Sequence, residues 1–461
     1  MIRSVRPKGH RIRVLVTLLA VAGGLAGCNR LPVGTEGDVA GRPPPDSPIG
    51  TPTPIVATGA DGAPGATGAP VAISDAGVNA NPSAPSAPGL PASASPLLHG
   101  DDRSPSLRAL TADWKTDWTR RNIATDQIAS GGPPRDGIPP IDNPRAVEIA
   151  AADAWLADQE PVLVVAEGGV VRAYPLQVLT WHEVANDTLG GVPVAVTFCP
   201  LCNAAVAYDR RLGDRVLTFG VSGLLRNSDL IMWDRQTESL WQQLEGRAVV
   251  GALTGAQLKP LPALLISWAD FKHDFPTATV LSRETGFERE YGSNPYARYD
   301  APGSSPFLFT GAPDPRLDAT ERVVAVEHGG EAVAYPFSRL ATARAVADTV
   351  GGLAIVVFWK PGTVSALDAP RIADSRDVGS AAVFEPRVGG RVLHFTGATQ
   401  AGAGLFRDQE TGSNWDIVGR AVSGPLSGAQ LPQVGHASAF WFAWAAFRPL
   451  TRVWTGETGG K

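Results

Sequence analysis

The sequence predicts a β-rich α+β fold made of two tandem similar repeats that pack as a pseudo-twofold pair. Two observations lead to this prediction. Apolar, strand-like runs flank tight turns such as Gly168-Gly169 and Cys199-Pro200-Leu201-Cys202, a pattern that is typical of β-hairpins. Two long segments also recur at one fixed spacing, which indicates a repeated structural unit.

The segment from Met1 to Cys28 is predicted to be a lipoprotein signal peptide. Five basic residues precede the apolar run from Val14 to Leu25, which is too short for a comfortable transmembrane helix. The run ends in Leu25-Ala26-Gly27-Cys28, which resembles the lipobox of bacterial lipoproteins. An ordinary secretory signal with a chance cysteine is the alternative. We expect Cys28 to carry a lipid that anchors the protein in the cell envelope, at the periplasmic or outer face of a membrane.

Residues 29–105 are predicted to be a disordered linker. They consist mainly of Pro, Ala, Gly and Ser, and such a composition cannot bury enough apolar surface to offset its ordering entropy. The glycines keep no triplet repeat, which excludes collagen. We expect a flexible tether between the membrane and the folded part. The formal net charge of −5, with no basic tract after the signal, argues against nucleic acid as a partner.

The repeat is predicted to span residues 106–300 in a first copy and residues 301–461 in a second, degenerate copy. One offset relates the two copies, since 335 − 174 = 161 for the Tyr-Pro pairs and 348 − 187 = 161 for the Asp-Thr pairs. Each unit is expected to contain a hairpin, a helix, several strands and, near Trp268 in the first copy, a short aromatic helix before the last strand. Trp241 recurs as Trp415 and is expected to be a core residue.

The two copies differ at positions where chemistry is expected. Cys199 and Cys202 correspond to Lys360 and Thr363, while His182 corresponds to Ala343. The shared residues are mostly Gly, Pro, Tyr, Trp and aliphatic residues, which are the residues that form a fold. We therefore infer one active half and one scaffolding half.

The centre of the first copy is the C-P-L-C segment from Cys199 to Cys202. Pro200 favours a β-turn, whose first and fourth Cα atoms lie within about 7 Å, so both sulfurs are expected to meet at a hairpin tip. The sequence has three cysteines, and Cys28 is assigned to the lipid. The pair would then be the only thiols of the mature protein.

Three interpretations of the pair are open. A copper or zinc site would need further ligands, for which His182 is the best third candidate, and the lack of a second C-x-x-C excludes a Cys₄ site. A redox disulfide fits the C-x-x-C spacing, but a strand is predicted after the pair instead of the helix whose N-terminus lowers a thiol pKa. A static disulfide would add little stability across so short a loop. The protein would then be a non-catalytic envelope-binding or scaffold module.

Two neighbouring segments supply further candidates. A helix predicted from Pro175 to Leu189 carries His182 and Asn186 on one stripe toward the core, while Glu183 is expected to point to solvent. His182 fits a hydrogen-bonded core histidine as well as it fits a ligand. The second segment has two interpretations. Its composition is that of a turn between strands, and the functional alternative is an anion clamp or a group that orients a ligand beside the thiols. Its residues are Arg226, Asn227, Ser228 and Asp229.

The segments W-H-E-V-A-N-D-T-L-G-G from Trp181, T-F-C-P-L-C-N from Thr197 and L-R-N-S-D from Leu225 resemble the bacterial and archaeal proteins grouped as DUF3179. The resemblance covers about Trp114 to Gly292 and is expected to continue through the second repeat. It implies no activity, because that group is named for an unknown function. The sequence contains no Ser-His-Asp signature, phosphate-binding Gly loop or dinucleotide fingerprint, and no motif that indicates a small-molecule or protein partner.

Overall fold

A computed structural model gives the structure of this protein and describes residues 97–397 and 406–456. The predicted signal peptide with Cys28 and residues 29–96 of the predicted linker lie outside the described residues. Residues 97–105, predicted as the end of the linker, belong to the folded part. Leu98–His99 pairs there with Arg120–Arg121 in an antiparallel ladder. No helix in the described ranges is long and apolar enough to cross a membrane.

Short strands dominate the described residues, with six short α-helices among them. The helices are α1 Pro105–Leu110, α2 Ile149–Asp153, α3 Leu176–His182, α4 Trp268–Asp274, α5 Phe337–Ala343 and α6 Trp441–Phe447. The strands up to residue 300 are β1 Leu98–His99, β2 Arg120–Arg121, β3 Ala129–Ser130, β4 Ile141–Asp142, β5 Ala146–Glu148, β6 Pro161–Glu167, β7 Val170–Pro175, β8 Val184–Leu189, β9 Val192–Cys199, β10 Ala204–Asp209, β11 Arg211–Leu212, β12 Arg215–Val216, β13 Phe219–Arg226, β14 Asp229–Asp234, β15 Leu240–Gln242, β16 Arg247–Val250, β17 Lys259–Leu261, β18 Ala263–Ser267 and β19 Thr279–Leu281. The later strands are β20 Arg322–His328, β21 Glu331–Pro336, β22 Ala345–Val350, β23 Leu353–Lys360, β24 Ser380–Phe384, β25 Arg387–Val388, β26 Arg391–Val392, β27 Phe395–Gly397, β28 Phe406–Asp408, β29 Asn414–Trp415, β30 Ala421–Ser423, β31 Ala437–Phe440 and β32 Arg452–Val453.

Most of the strands form two large sheets and three smaller ones. The nine-stranded sheet has the order β32-β21-β20-β31-β10-β9-β8-β4, with β17 also paired to β10, and the seven-stranded sheet has the order β1-β2-β16-β15-β14-β13-β3. The smaller sheets are β18-β6-β7-β19-β5, β27-β28-β29-β30 and β22-β23-β24. The predicted β-rich α+β class is therefore confirmed.

The nine-stranded sheet contains strands from both predicted copies. β31 pairs with β10 on one side and with β20 on the other. The apolar clusters are also shared, since Trp268 and Val280 lie in the same buried cluster as Phe358 and Trp415. The predicted boundary at residue 300 is thus not a boundary between sheets or between cores.

Five consecutive elements of the first half have counterparts of equal length in the second. β6, β7, α3, β8 and β9 match β20, β21, α5, β22 and β23, and the two helices start at the same offset, 337 − 176 = 161. The shared residues make equivalent contacts. Tyr174 donates a hydrogen bond to Asp187 at 2.6 Å, and Tyr335 donates one to Asp348 at 2.8 Å.

The Gly-Gly pairs mark a close approach of two turns. Gly168 and Gly190 have φ values of +56° and +51°, and a Cβ atom on Gly168 would lie 2.4 Å from the carbonyl oxygen of Gly190. Gly329 and Gly351 meet in the same way in the second half, again with 2.4 Å to the carbonyl oxygen. Only glycine fits both the left-handed backbone and the contact.

The prediction that Trp241 is a core residue is confirmed. Trp241 and Trp415 are both fully buried. Each indole nitrogen donates a hydrogen bond of 2.9 Å to a carboxylate, that of Asp234 in the first half and that of Asp408 in the second. A buried indole N–H needs such an acceptor, which explains why the surrounding Thr-x-Ser-x-Trp segment recurs.

The predicted helix from Pro175 to Leu189 is wrong in its second half. α3 ends at His182, Glu183 has a left-handed φ of 58°, and β8 begins at Val184. Val184 and Thr188 are β-branched and favour the extended backbone, which pairs with β9 along its whole length. Gly190-Gly191, interpreted as a helix stop, has two positive φ values of 51° and 83° and turns the β8–β9 hairpin.

Candidate metal centre

The two cysteines lie at the tip of the β9–β10 hairpin, as the sequence predicted. Cys199 is the last residue of β9 and pairs with Ala204, the first residue of β10. The turn between them is closed by a 3.2 Å hydrogen bond from the Asn203 amide to the Pro200 carbonyl. Both thiols are free and buried, with exposed fractions of 1% and 0%. The sulfurs are therefore not joined as the static disulfide interpretation requires.

Asp229 brings a carboxylate to the two thiols. Asn227 and Ser228 have φ values of 52° and 64°, which gives the β13–β14 hairpin a two-residue turn of the I′ class and fixes Asp229 at the start of β14. The Cys202 thiol donates a hydrogen bond to Asp229 Oδ1 at 2.9 Å. One ligand atom from each of Cys199, Cys202 and Asp229 lies within 4.8 Å of the others, so this group could hold a metal ion.

The second carboxylate oxygen of Asp229 accepts hydrogen bonds from β15 and from a residue just after β15. Gln242 Nε2 donates to Asp229 Oδ2 at 2.6 Å, and the Leu244 amide donates to the same oxygen at 3.1 Å. Gln242 Oε1 is buried and has no hydrogen-bond partner in the described residues. The sequence interpretation missed Gln242, although a polar Gln-Gln pair directly after the buried Trp241 could have indicated it.

Burial shifts the protonation of this cluster toward its neutral forms. It raises the pKa of Cys199 and Cys202 above the ordinary thiol value, and raises the pKa of Asp229 to about 6. Glu183 is a fourth acid in the neighbourhood, only 7% exposed. Its pKa is raised to about 8 by burial and then by the charge of Asp229. Removing four acidic groups from water without cations in contact is unfavourable for their ionised forms.

The nearest predicted cation, Arg226, is directed away from the cluster. Its Nε donates to Gln127 Oε1 at 2.8 Å, its Nη1 lies 3.7 Å from Glu245, and its guanidinium lies over the Phe447 ring. Among the described residues, no Lys, Arg or His forms an ion pair with Asp229 or Glu183. The predicted anion clamp at Arg226 is therefore not formed at the thiols.

The structure does not bring His182 to the thiols. Its ring is buried, with Nδ1 2.7 Å from the Pro139 carbonyl oxygen and Nε2 2.7 Å from the Tyr291 hydroxyl. Burial lowers the pKa of His182 to about 4, so the ring is neutral at physiological pH. Both ring nitrogens are engaged elsewhere, and the side chain that lies beside the two thiols is that of Asp229 and not that of His182.

The remaining candidates differ in what they contact. Glu183 is buried, so the expectation that it points to solvent is wrong. Glu183 itself is the residue with a positive φ that ends α3, and this change of backbone direction turns its side chain inward. Asn186 lies on β8 and bridges Asp142 and Phe219 with bonds of 2.7–2.9 Å. The Ser228 hydroxyl donates to the Phe307 carbonyl, whereas Asn227 is a half-buried turn residue.

Residues 282–321, here called the covering segment, connect β19 to β20 without a helix or a named strand. The Tyr299 hydroxyl donates a 2.9 Å hydrogen bond to the carbonyl of Leu201, between the two cysteines, and accepts one of 3.2 Å from the Phe307 amide. Long connections of this kind in compact domains are commonly functional. Here the segment closes the hairpin tip against the rest of the chain.

A family model described as a protein of unknown function, DUF3179, matches residues 135–451. The matched range contains Glu183, both cysteines of the hairpin tip and Asp229, and it extends through most of the second half. No curated protein and no solved structure matches the chain. Because the family model covers more than half of the sequence, the chain belongs to the DUF3179 family.

Proposed function

We propose that this protein holds a transition-metal ion at Cys199, Cys202 and Asp229, on a folded part that Cys28 anchors to a membrane of the cell envelope. One observation carries the metal proposal: two buried thiols and a buried carboxylate converge within 4.8 Å, with no described cation paired to them. A divalent ion would replace the protons that burial retains on the two thiols, as metal binding does at other thiol sites.

The donor set favours zinc, with copper as the alternative. Zinc accepts thiolate and carboxylate oxygen together, and three protein ligands with a fourth open position are typical of its functional sites. Copper(I) prefers soft donors at every position, and the carboxylate of Asp229 is a hard donor. The raised thiol pKa values also oppose the thiol–disulfide alternative, because the thiolate is the nucleophile in exchange.

Elemental analysis of protein purified from its own compartment tests the metal centre. We expect about one zinc per chain in the wild type, and loss of zinc in the Cys199→Ser/Cys202→Ser double variant and in Asp229→Asn. Asp416→Asn is the matched control, because Asp416 is also a buried carboxyl group whose pKa is raised to about 6, but it lies in the second half. Equal metal content in the wild type and the double variant would overturn the proposal.

The anchor is tested separately. We expect Cys28→Ser to move the protein from the membrane fraction to the soluble fraction and to abolish labelling with palmitate, because an acyl chain supplies the membrane affinity. The metal content should stay unchanged. A Cys28→Ser protein that remains in the membrane fraction would contradict the lipid anchor.

We further propose that the two halves are repeats packed as a pseudo-twofold pair, of which only the first is active. The five equal elements at one spacing support the repeat. Lys360 and Thr363 stand where the first half has its thiols, which supports a scaffolding role for the second half.

A further inference from the structure

A pocket with a volume of about 640 Å³ is lined in part by the last turn of α3. This volume lies within the range of small-molecule sites, about 300–1,000 Å³. Its walls come from three places: Gly137 and Ile138 after β3, Thr180 and Trp181 of α3, and residues 288–290 and 295–296 of the covering segment. Neither thiol lines the pocket and Asp229 does not line it either, so it is separate from the candidate metal centre.

Two aromatic side chains form fixed walls of this pocket. The Trp181 indole nitrogen donates a 3.2 Å hydrogen bond to the Ser293 carbonyl, which holds the ring in place. Tyr296 is half-buried and packs against the apolar cluster that contains Cys199 and Cys202. Rigid aromatic faces bind flat apolar groups at low entropic cost.

The pocket also holds a guanidinium without an ionic partner. Arg289 is exposed and donates a 2.9 Å hydrogen bond to the carbonyl of Glu288. It forms no ion pair with a carboxylate in the described part of the chain, although Glu288 and Glu290 flank it. An unpaired guanidinium matches the two oxygens of a carboxylate in geometry and charge.

We propose that this pocket binds a small organic monocarboxylate with a flat, apolar body. Arg289 pairs with its carboxylate, and Trp181 and Tyr296 pack against the body. Glu288 and Glu290 also line the pocket and disfavour ligands with more than one negative charge.

Tyr296 lines the pocket and also packs against the apolar cluster that includes the two cysteines. The charges of Glu183 and Cys199 add to burial in raising the pKa of its phenol. The inference goes beyond the proposed metal centre and does not depend on it.

Three probes with one ring and different charge test the pocket: benzoate, benzyl alcohol and benzylamine. We expect the purified full-length protein to bind benzoate saturably by titration calorimetry and saturation-transfer NMR. Benzyl alcohol and benzylamine should each bind about tenfold more weakly, because only benzoate pairs with Arg289. Arg289→Gln should raise the benzoate Kd about tenfold, to that of benzyl alcohol. Arg391→Gln, at an exposed arginine in the second half, should leave it unchanged.

Equal binding of benzoate and benzylamine, no saturable benzoate binding, or an unchanged Kd in Arg289→Gln would each overturn the inference. Metal content measured on the same samples keeps the two proposals separate. Loss of benzoate binding with zinc retained refutes only the pocket. Absence of zinc with benzoate binding retained refutes only the metal centre.

Discussion

Glu183 carries a buried carboxyl group that no described side chain or amide hydrogen-bonds. Its backbone is fixed, since its amide donates to the Leu179 carbonyl at 2.7 Å and its carbonyl accepts from the Phe198 amide at 2.8 Å. Arg344 occupies the equivalent position with a φ of 65°, and its guanidinium lies 4.6 Å from the centre of the Trp359 ring. One backbone junction thus presents an acid in the first half and a cation in the second.

We expect Glu183→Gln to stabilise the metal-free protein by about 3 kcal/mol at pH 7. The native pKa of about 8 lies above the unfolded value of 4.5, so the native state keeps a proton that the unfolded chain releases between these values. The stability from this group is complete below pH 4.5 and is lost as the pH rises to about 8. Glutamine removes this loss.

Urea unfolding at pH 5 and pH 8 with a chelator present measures the effect. The free energy of unfolding of Glu183→Gln should exceed that of the wild type by an amount that grows with pH. Glu148→Gln is the control, because Glu148 is exposed on β5. A glutamine variant less stable than the wild type at pH 8 would contradict the assignment of Glu183 as an unpaired buried acid.

At the same scale, the sequence predicted the sulfur pair but not its partner. The position of both sulfurs follows from a local turn with Pro200 in it, which a short segment determines. Asp229 arrives from another hairpin further along the chain, and its contact with Cys202 depends on how two sheets pack. His182 was a sound candidate by chemistry, yet hydrogen bonds to Pro139 and Tyr291 outside its own element set the direction of its ring.

The covering segment contacts the hairpin tip that carries the thiols. Tyr299 ties it to the hairpin tip through a hydrogen bond to the Leu201 carbonyl. Reagents can reach thiols that are 1% and 0% exposed only when the structure around them opens locally, and we expect this segment to be the part that opens. The free energy of that opening therefore sets the reaction rate of the thiols.

We expect Tyr299→Phe to make the thiols of the metal-free protein react with a disulfide reagent about fivefold faster. The change removes the hydrogen bond from Tyr299 to Leu201 that joins the segment to the hairpin tip, and a bond worth about 1 kcal/mol corresponds to about fivefold in the opening equilibrium. The zinc content should not change. Tyr335→Phe is the matched control, because it removes a buried tyrosine hydrogen bond to Asp348, in a different apolar cluster from the thiols. Equal rates in the two variants would show that the segment does not gate access.

Elements with strong local patterns were predictable, and the junctions between them were not. The Gly168-Gly169 hairpin and the aromatic helix α4 before β19 appear where the sequence placed them. The end of α3 was missed because Gly-Gly serves equally as a helix stop and as a hairpin turn. Pairing of β8 with β9 decides between these, and that pairing is a tertiary interaction.

At the scale of the whole molecule, the two predicted copies form one body. We expect a fragment of residues 97–300 to remain unfolded, because the edge of β10 and the apolar cluster around Trp268 would lose β31 and Phe358. Circular dichroism and the thiol reaction rate check this, with the 97–461 chain as the control. A fragment that unfolds cooperatively and binds zinc would contradict the shared core.

The fixed offset between the two copies made the internal likeness visible in the sequence, because equivalent contacts require equivalent residues. The shared sheet was not visible. β31 contains Ala437, Ser438 and Ala439, whose pattern does not specify which two strands it joins. Its place depends on the assembled surfaces of both neighbours.

β31 also has a consequence for the order of assembly. The Phe440 amide donates a 2.9 Å hydrogen bond to the Cys202 carbonyl, so the strand that seals the hairpin tip is among the last made. A chain synthesised from its N-terminus presents both sulfurs to the surrounding compartment before that seal exists. During this interval the two thiols are accessible to ions and oxidants of that compartment. Once β31 pairs with β10, an ion bound to them is enclosed, so the metal content of the centre depends on the conditions during synthesis.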